Sequence, residues 1–178
     1  YNQNLSASQI INNYDENELA NLIFYFGEEK KSRKIARSIV RNRPIKSSLE
    51  LANLICDVIP RRKNQKINPA TKTFQAIRIA VNDELASLES ALNESLTVIG
   101  EGGRIAVISY HSLEDRIVKN FFKKQSSNCI CPPRSPICSC EHEKTVNIIN
   151  KKPIIPSENE IMSNPRSRSA KLRIAERI

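Results

Sequence analysis

The chain has 178 residues, 28 Lys and Arg against 19 Asp and Glu for a formal net charge of +9, 39% apolar residues, 5% aromatics and no Trp. That length suits one domain or one and a half, and periodic blocks of Ile, Leu and Val argue against wholesale disorder. No apolar run approaches the roughly 18 residues of a membrane span, and Tyr1 to Ile10 lack the basic and apolar regions of a signal peptide, so a cytoplasmic chain with no membrane partner is expected.

The first 60 residues read as helices. Asp15 and Glu18 form a capping box ahead of an apolar stripe, Leu19, Leu22, Ile23 and Phe26, with Gly27 as the stop. A second helix is expected from about Glu28 to Asn42, with Ile35, Ile39 and Val40 on one face, and Pro44 ends it. Ser47 and Glu50 open a third, through Leu51, Leu54, Ile55 and Val58, up to Pro60. Arg61 to Lys66 is a polar, basic loop. From Ala70 to about Ile99 the pattern is helical again, with a break near the middle. Phe74, Ile77, Val81, Leu85, Leu88 and Leu92 make one continuous stripe, with Gln75, Arg78 and Asn82 on a neighbouring face.

Beyond Gly100 and Gly103 the period changes. Arg104 to Ser109 is a short β-branched run that reads as a buried strand of an α/β sheet. Ser112 to Asp115 fits a capping box, and Ile117, Val118, Phe121 and Phe122 continue as a helix. Helix, turn, strand, turn, helix is the rhythm of a doubly wound fold. Val146 to Ile149 and Ala170 to Ala175 are two further strands, with a short helix from Ser157 to Met162 between them. The expected boundary near residues 80–90 gives a helical domain at 1–86. The end of an α/β domain follows at 87–178, with a Cys- and Pro-rich loop at 125–143. Three strands with few covering helices are a small sheet. The missing strands are expected before Tyr1, in keeping with a chain that does not open on Met.

Charge is distributed in blocks. Residues 1–29 hold five acids and no bases; 30–72 hold thirteen bases and two acids; 73–115 hold two bases and seven acids; 116–178 hold thirteen bases and five acids. Two basic blocks between acidic ones suggest surfaces that face phosphates, although Lys-rich solvated helix faces give the same count.

Candidate residues lie at four places. His111, with Ser109, follows the carboxyl end of the expected strand, where open α/β sheets place ligands. It either meets a base edge or moves a proton, or it pins the turn through backbone bonds. Gln75, Arg78 and Asn82 either bind phosphates or base edges or tie the helical part to the α/β part, and burial is expected in both cases. Arg166 and Arg168, alternating with serines, either cradle phosphates or form a solvated turn. Arg116 lies beside the histidine turn and joins the substrate-binding set. Cys129, Cys131, Cys138 and Cys140 stand as Cys-x-Cys, six residues, Cys-x-Cys, with Pro132, Pro133 and Pro136 stiffening the loop. Four thiolates can hold zinc, but one intervening residue is tighter than the usual two. The sequence reading therefore assigns no metal and leaves an exposed, redox-sensitive loop as the alternative. Cys56 reads as core. No Gly-x-Gly loop after a strand, Walker lysine, nucleophile elbow or Pro-Pro-aromatic motif occurs.

Three long segments stand out together: Pro69-Ala70-Thr71-Lys72-Thr73-Phe74-Gln75-Ala76-Ile77-Arg78-Ile79 with Val81 to Leu85; Gly102-Gly103-Arg104 through Ser109-Tyr110-His111-Ser112-Leu113-Glu114-Asp115-Arg116 to Lys119; and Asn164-Pro165-Arg166-Ser167-Arg168-Ser169-Ala170-Lys171-Leu172-Arg173. With Tyr25 to Glu29 and Ile35-Ala36-Arg37, they resemble the bacterial 16S ribosomal RNA cytosine-N4 methyltransferase H family over essentially the whole chain. The resemblance implies a partial class I methyltransferase, Rossmann-like sheet with an inserted all-helical domain. It implies methyl transfer from S-adenosylmethionine to the exocyclic amine of a decoding-centre cytosine, with the small ribosomal subunit and its 16S rRNA as partner; a homodimer stays open. His111 and Ser109 are then the catalytic candidates, shaping the base pocket, and Gln75, Arg78, Asn82, Arg116, Arg166 and Arg168 the RNA-binding ones. The family's cofactor contacts lie upstream of Tyr1, so none is carried over, and the chain by itself is expected to be inactive. Tyr110 stands where the family usually has Phe, and the Cys-Pro loop falls in a segment the family varies. The rival readings are a non-enzymatic basic RNA-binding module, zinc-stapled or not, and an inert remnant.

Overall fold

The computed structural model describes residues 5–60, 67–132 and 138–178. Tyr1 to Asn4, the basic loop Arg61 to Lys66, and Pro133 and Pro136 lie outside them. The chain divides into two compact units, Tyr1–Glu84 and Leu85–Ile178.

The first unit is helical throughout its described residues: α1 (Ala7–Asn13), α2 (Glu16–Gly27), α3 (Ser32–Arg41), α4 (Ser48–Val58) and α5 (Thr71–Asn82). The starts of α1, α2 and α4 are capped by the side chains of Ser6, Asp15 and Ser47. Asp15 accepts the Asn17 and Glu18 N–H groups at 2.7 and 2.8 Å, and the Glu18 carboxylate takes the Asp15 N–H in return. Such a cap contributes about 1 kcal/mol, whereas each fully buried Ile contributes about 2, so packing decides. Leu19, Ile23, Ile35, Ile39, Ile55 and Ala76 are buried in one cluster. Arg43 is spent on structure, donating to the Ile11 and Tyr14 carbonyls at 2.7 and 2.6 Å and closing the end of α1.

Two expectations about this unit shift. α2 does end at Gly27, but the left-handed residue that closes it is Glu28, at φ 48°, and α3 starts only at Ser32. Gly27 is needed for a different reason: a Cβ there would sit 2.5 Å from the Lys72 carbonyl oxygen, so its absence lets α2 approach α5. Cys56 is half-buried rather than core, its thiol 3.6 Å from Asn68 Oδ1.

The expected mid-helix break falls at Asp83, left-handed at φ 49°, between α5 and α6 (Glu84–Val98). It divides the apolar stripe. Phe74, Ile77 and Val81 join the first unit's core, and Leu88 and Leu92 join a separate one.

The second unit adds β1 (Arg104–Ser109), α7 (Ser112–Gln125), β2 (Val146–Ile148), α8 (Glu158–Ser163), a 3-10 turn (Pro165–Ser169) and β3 (Lys171–Arg177). The strand order is β1-β3-β2, and both pairings are antiparallel. The doubly wound rhythm thus yields no parallel pair among the described strands, because β3 returns to lie between β1 and β2 in the opposite sense. Leu92 of α6 and Val118 and Phe122 of α7 cover Ile105, Ala175 and Val146. The alternate residues of β1, Arg104, Ala106 and Ile108, remain exposed, as does Tyr110 just beyond the strand.

Candidate functional site

The carboxyl end of β1 gathers the first candidates. Ser109 is the strand's last residue, 1% exposed, and is paired with Lys171 of β3. His111 is the N-cap of α7, one residue ahead of the Ser112 start that the sequence suggests. Its Nδ1 replaces a serine hydroxyl and accepts the Glu114 N–H at 3.4 Å. The Glu114 carboxylate in turn accepts the Tyr110 and His111 N–H groups at 2.8 and 3.2 Å. The turn-pinning role of His111 is therefore real, and it leaves the other ring nitrogen for something else. Nε2 lies 3.3 Å from a Glu114 oxygen, without the alignment of a hydrogen bond.

Three buried side-chain polar atoms lack a hydrogen-bond partner among the described residues: Thr73 Oγ1, Ser109 Oγ and His111 Nε2. Two of the three belong to this one turn. A buried polar atom left unpaired costs about 1–3 kcal/mol, so two together need a reason.

In the first unit Gln75, Arg78 and Asn82 follow one side of α5. Gln75 donates to the Phe26 carbonyl at 3.3 Å. Arg78 grips Glu84 with two bonds of 2.8 and 3.0 Å, and Asn82 donates to the same carboxylate at 3.1 Å. The expected burial holds only partly, since Arg78 and Asn82 are exposed. Sequence spacing did not reveal that Glu84 is their shared partner. Gln75 and Arg78, with Asn68, Thr71 and Phe74, line an open cleft of about 460 Å³. Arg78 fixed by a carboxylate keeps a preset geometry, while three of its five N–H groups remain for a ligand.

Arg166 and Arg168 are exposed on the 3-10 turn on either side of buried Ser167, whose hydroxyl donates to the Asn164 carbonyl at 2.8 Å. Arg116 is exposed on the first turn of α7. On α3 the side away from the core carries Arg33, Lys34, Arg37 and Arg41 and no acid. Of these, Arg37 pairs with Glu16 at 3.1 Å. Phe24 and Tyr25 on α2 are exposed and meet edge to face, with 5.2 Å between ring centroids.

The four loop cysteines converge in one cluster. The Ile130 N–H and then the His142 N–H bring the Cys140 thiol down to about 6. The Cys131 N–H acts in the same direction on Cys129, but the three neighbouring thiols outweigh it and hold Cys129 up to about 12.

The model of a family described as the MraW methylase family matches residues 1–178. The chain belongs to the MraW methylase family. A protein of Dehalococcoides mccartyi named Ribosomal RNA small subunit methyltransferase H is 55% identical over 99% of the chain and 50% of its own length. Proteins of the same name from Halothermothrix orenii and Clostridioides difficile are 48% and 50% identical, covering 99% and 97% of the chain and 58% and 57% of their own lengths. The chain thus spans about half the length of the curated relatives it matches.

In this MraW-family chain, Asp115, expected to cap the helix after β1, instead reaches the sheet. Asp115 of α7 is 2.7 Å from Arg173 Nε and 3.2 Å from Lys171 Nζ, both on β3. The Arg173 hydrogen bonds hold the Asp115 carboxyl below its ordinary value; burial opposes them and Lys171 assists. This clamp fixes the first turn of α7 to the sheet and with it the His111 cap. An arginine alternating with apolar residues on a strand was its only sequence signal. Among the described residues, no helix is long and apolar enough to cross a membrane.

Proposed function

We propose that this chain is the carboxyl-terminal part of an enzyme that methylates ribosomal RNA. In this reading the whole enzyme moves a methyl group from S-adenosylmethionine to the exocyclic N4 amine of a decoding-centre cytosine in the 16S rRNA of the small subunit. Family membership and the relatives' names support the class of reaction. The observation that carries the site is the pair of orphaned polar atoms, Ser109 Oγ and His111 Nε2, at the carboxyl end of β1.

The residues present do not fit the cofactor. The β1–α7 turn, Ser109-Tyr110-His111-Ser112, has no glycine, and His111 already takes the Glu114 N–H at the start of α7. In this reading the cofactor is held by the other half of the enzyme. The exposed β1 face of Ala106 and Ile108, with Tyr110 just beyond it, is where more of the α/β domain would pack, with the helical unit as its inserted substrate-recognition domain. Ser109 and His111 then hydrogen-bond the flipped-out cytosine and orient its amine. Arg78, with Gln75 and Asn82, and Arg116, Arg166 and Arg168 hold flanking RNA.

His111→Ala in the full-length enzyme should cut methyl transfer to unmodified small subunits by about a hundredfold. Turnover near wild type would remove the turn from the site. A second reading, a basic RNA-binding module without catalysis, is favoured by the acid-free outer side of α3. Full-length protein that binds the subunit but never transfers a methyl group would select it.

A further inference from the structure

We propose that Cys129, Cys131, Cys138 and Cys140 form a closed, structural zinc site that folds the excursion between α7 and β2. This does not depend on the methyl-transfer reading.

The neck of the excursion is tied. Thr145 donates its N–H to the Gln125 carbonyl at 2.8 Å and its hydroxyl to Gln125 Oε1 at 2.8 Å, and His142 Nε2 is 2.9 Å from the Lys124 carbonyl. Beyond the neck, the described residues of the loop offer no buried apolar side chain; Ile130 is 44% exposed. A segment whose described residues bury no apolar side chain gains from a cross-link or a metal, and its four cysteines can supply either.

Their geometry selects between the two. Cys138 Sγ lies 3.5 Å from Cys129 Sγ, 3.5 Å from Cys140 Sγ and 3.9 Å from Cys131 Sγ, and Cys140 lies 3.7 Å from Cys129. A tetrahedron with zinc–sulfur bonds of about 2.3 Å has edges of about 3.8 Å. Two disulfides would give two sulfur pairs at bonding distance and leave the other four pairs longer, whereas here the four sulfurs share one centre, and all four cysteines are free thiols. Backbone N–H groups also point at sulfur: Ile130 to Cys140 at 3.4 Å, Cys131 to Cys129 at 3.3 Å and Ser139 to Cys131 at 3.5 Å. A thiol is a weak acceptor, and such donors orient and stabilise thiolate ligands. The only histidine nearby, His142, spends Nε2 on the neck. The donor set is therefore four sulfurs with no open position, which makes the site structural rather than catalytic. Binding aqueous zinc forms four zinc–sulfur bonds, displaces water from the ion, and releases the remaining thiol protons to solvent. The cluster carries a net charge of −2 when loaded.

Elemental analysis of the purified full-length protein should find about one zinc per chain. Its four loop thiols should resist a thiol reagent until a chelator removes the metal. Replacing zinc with cobalt should give the visible absorption of a tetrahedral tetrathiolate. Cys131→Ser with Cys138→Ser should abolish the zinc, while Cys56→Ser keeps it. The proposal is overturned if the protein lacks zinc, carries iron in its place, shows the mass loss of disulfides, or keeps its zinc in the double variant. If that variant does not fold, the metal content, thiol protection and cobalt spectrum of the wild type decide alone.

Discussion

The two units solve the same stability problem by different means. The helical unit closes on itself: Ile10, Leu19, Ile23, Ile35, Ile39 and Ile55 are wholly buried in one cluster, polar groups are taken up by caps such as Asp15–Glu18 and by Arg43, and one buried side-chain atom among its described residues, Thr73 Oγ1, lacks a hydrogen-bond partner. The sheet unit has a thinner core around Val118, Phe122 and Val146. It depends on a mostly buried ion pair, Asp115–Arg173, and leaves Ser109 Oγ and His111 Nε2 unpaired. A unit that satisfies nearly all of its own groups can tolerate change at its surface. A unit that leaves polar atoms orphaned and a sheet face exposed has its unspent interactions where a ligand or further chain would use them.

The sharpest way to break this comparison is to remove the thin core. Phe122→Ala in the full-length protein should cost about 4 kcal/mol, read as a lower denaturant midpoint; a loss under about 1 would mean that the second core is not needed. Next comes the clamp. Arg173→Met leaves the Asp115 carboxylate with Lys171 alone, and breaking a buried pair in this way costs about 3 kcal/mol. In the helical unit the most sensitive surface is a backbone approach, not a charge. Gly27→Ala should cost about 2 kcal/mol, since the new methyl meets the Lys72 carbonyl, and a neutral outcome would show that α2 and α5 can part freely.

Acid tests the clamp of the sheet unit. The folded Asp115 pKa is depressed, so its contribution is present above the unfolded value of about 3.9 and is lost as pH falls through the lower folded value. Asp115→Asn should remove that part of the acid slope in stability measured downward from pH 5, and an unchanged slope would count against the clamp. The smallest effect expected is on binding. Lys34→Ala with Arg41→Ala should barely change stability, yet lower the salt slope of subunit binding by about 1.5; an unchanged slope would remove α3 from the RNA contact.

Much of this was legible from local chemistry. A capping residue followed three positions later by an acid marks a helix start whatever surrounds it, as at Asp15 and Ser47, and a short β-branched run after glycines marks the strand at 104–109. The failures share a cause. The stripe from Phe74 to Leu92 is continuous in helical period, but one left-handed residue at Asp83 turns its halves into different cores, and periodicity does not register a single φ. The capping box at the start of α7 was read one residue late because an imidazole nitrogen can do a hydroxyl's work, which only the ring's placement reveals.

The sequence by itself determined the starts of α2 and α4, the presence of β1, the family and the place of the candidate turn, because each rests on neighbouring residues or on long ordered motifs. Only the tertiary structure decided that the sheet is antiparallel, that Glu84 gathers Arg78 and Asn82, that Arg173 reaches Asp115 from β3, and that four cysteines in two tight pairs converge on one point. Those outcomes depend on distances between residues far apart in the chain, and no local pattern carries them.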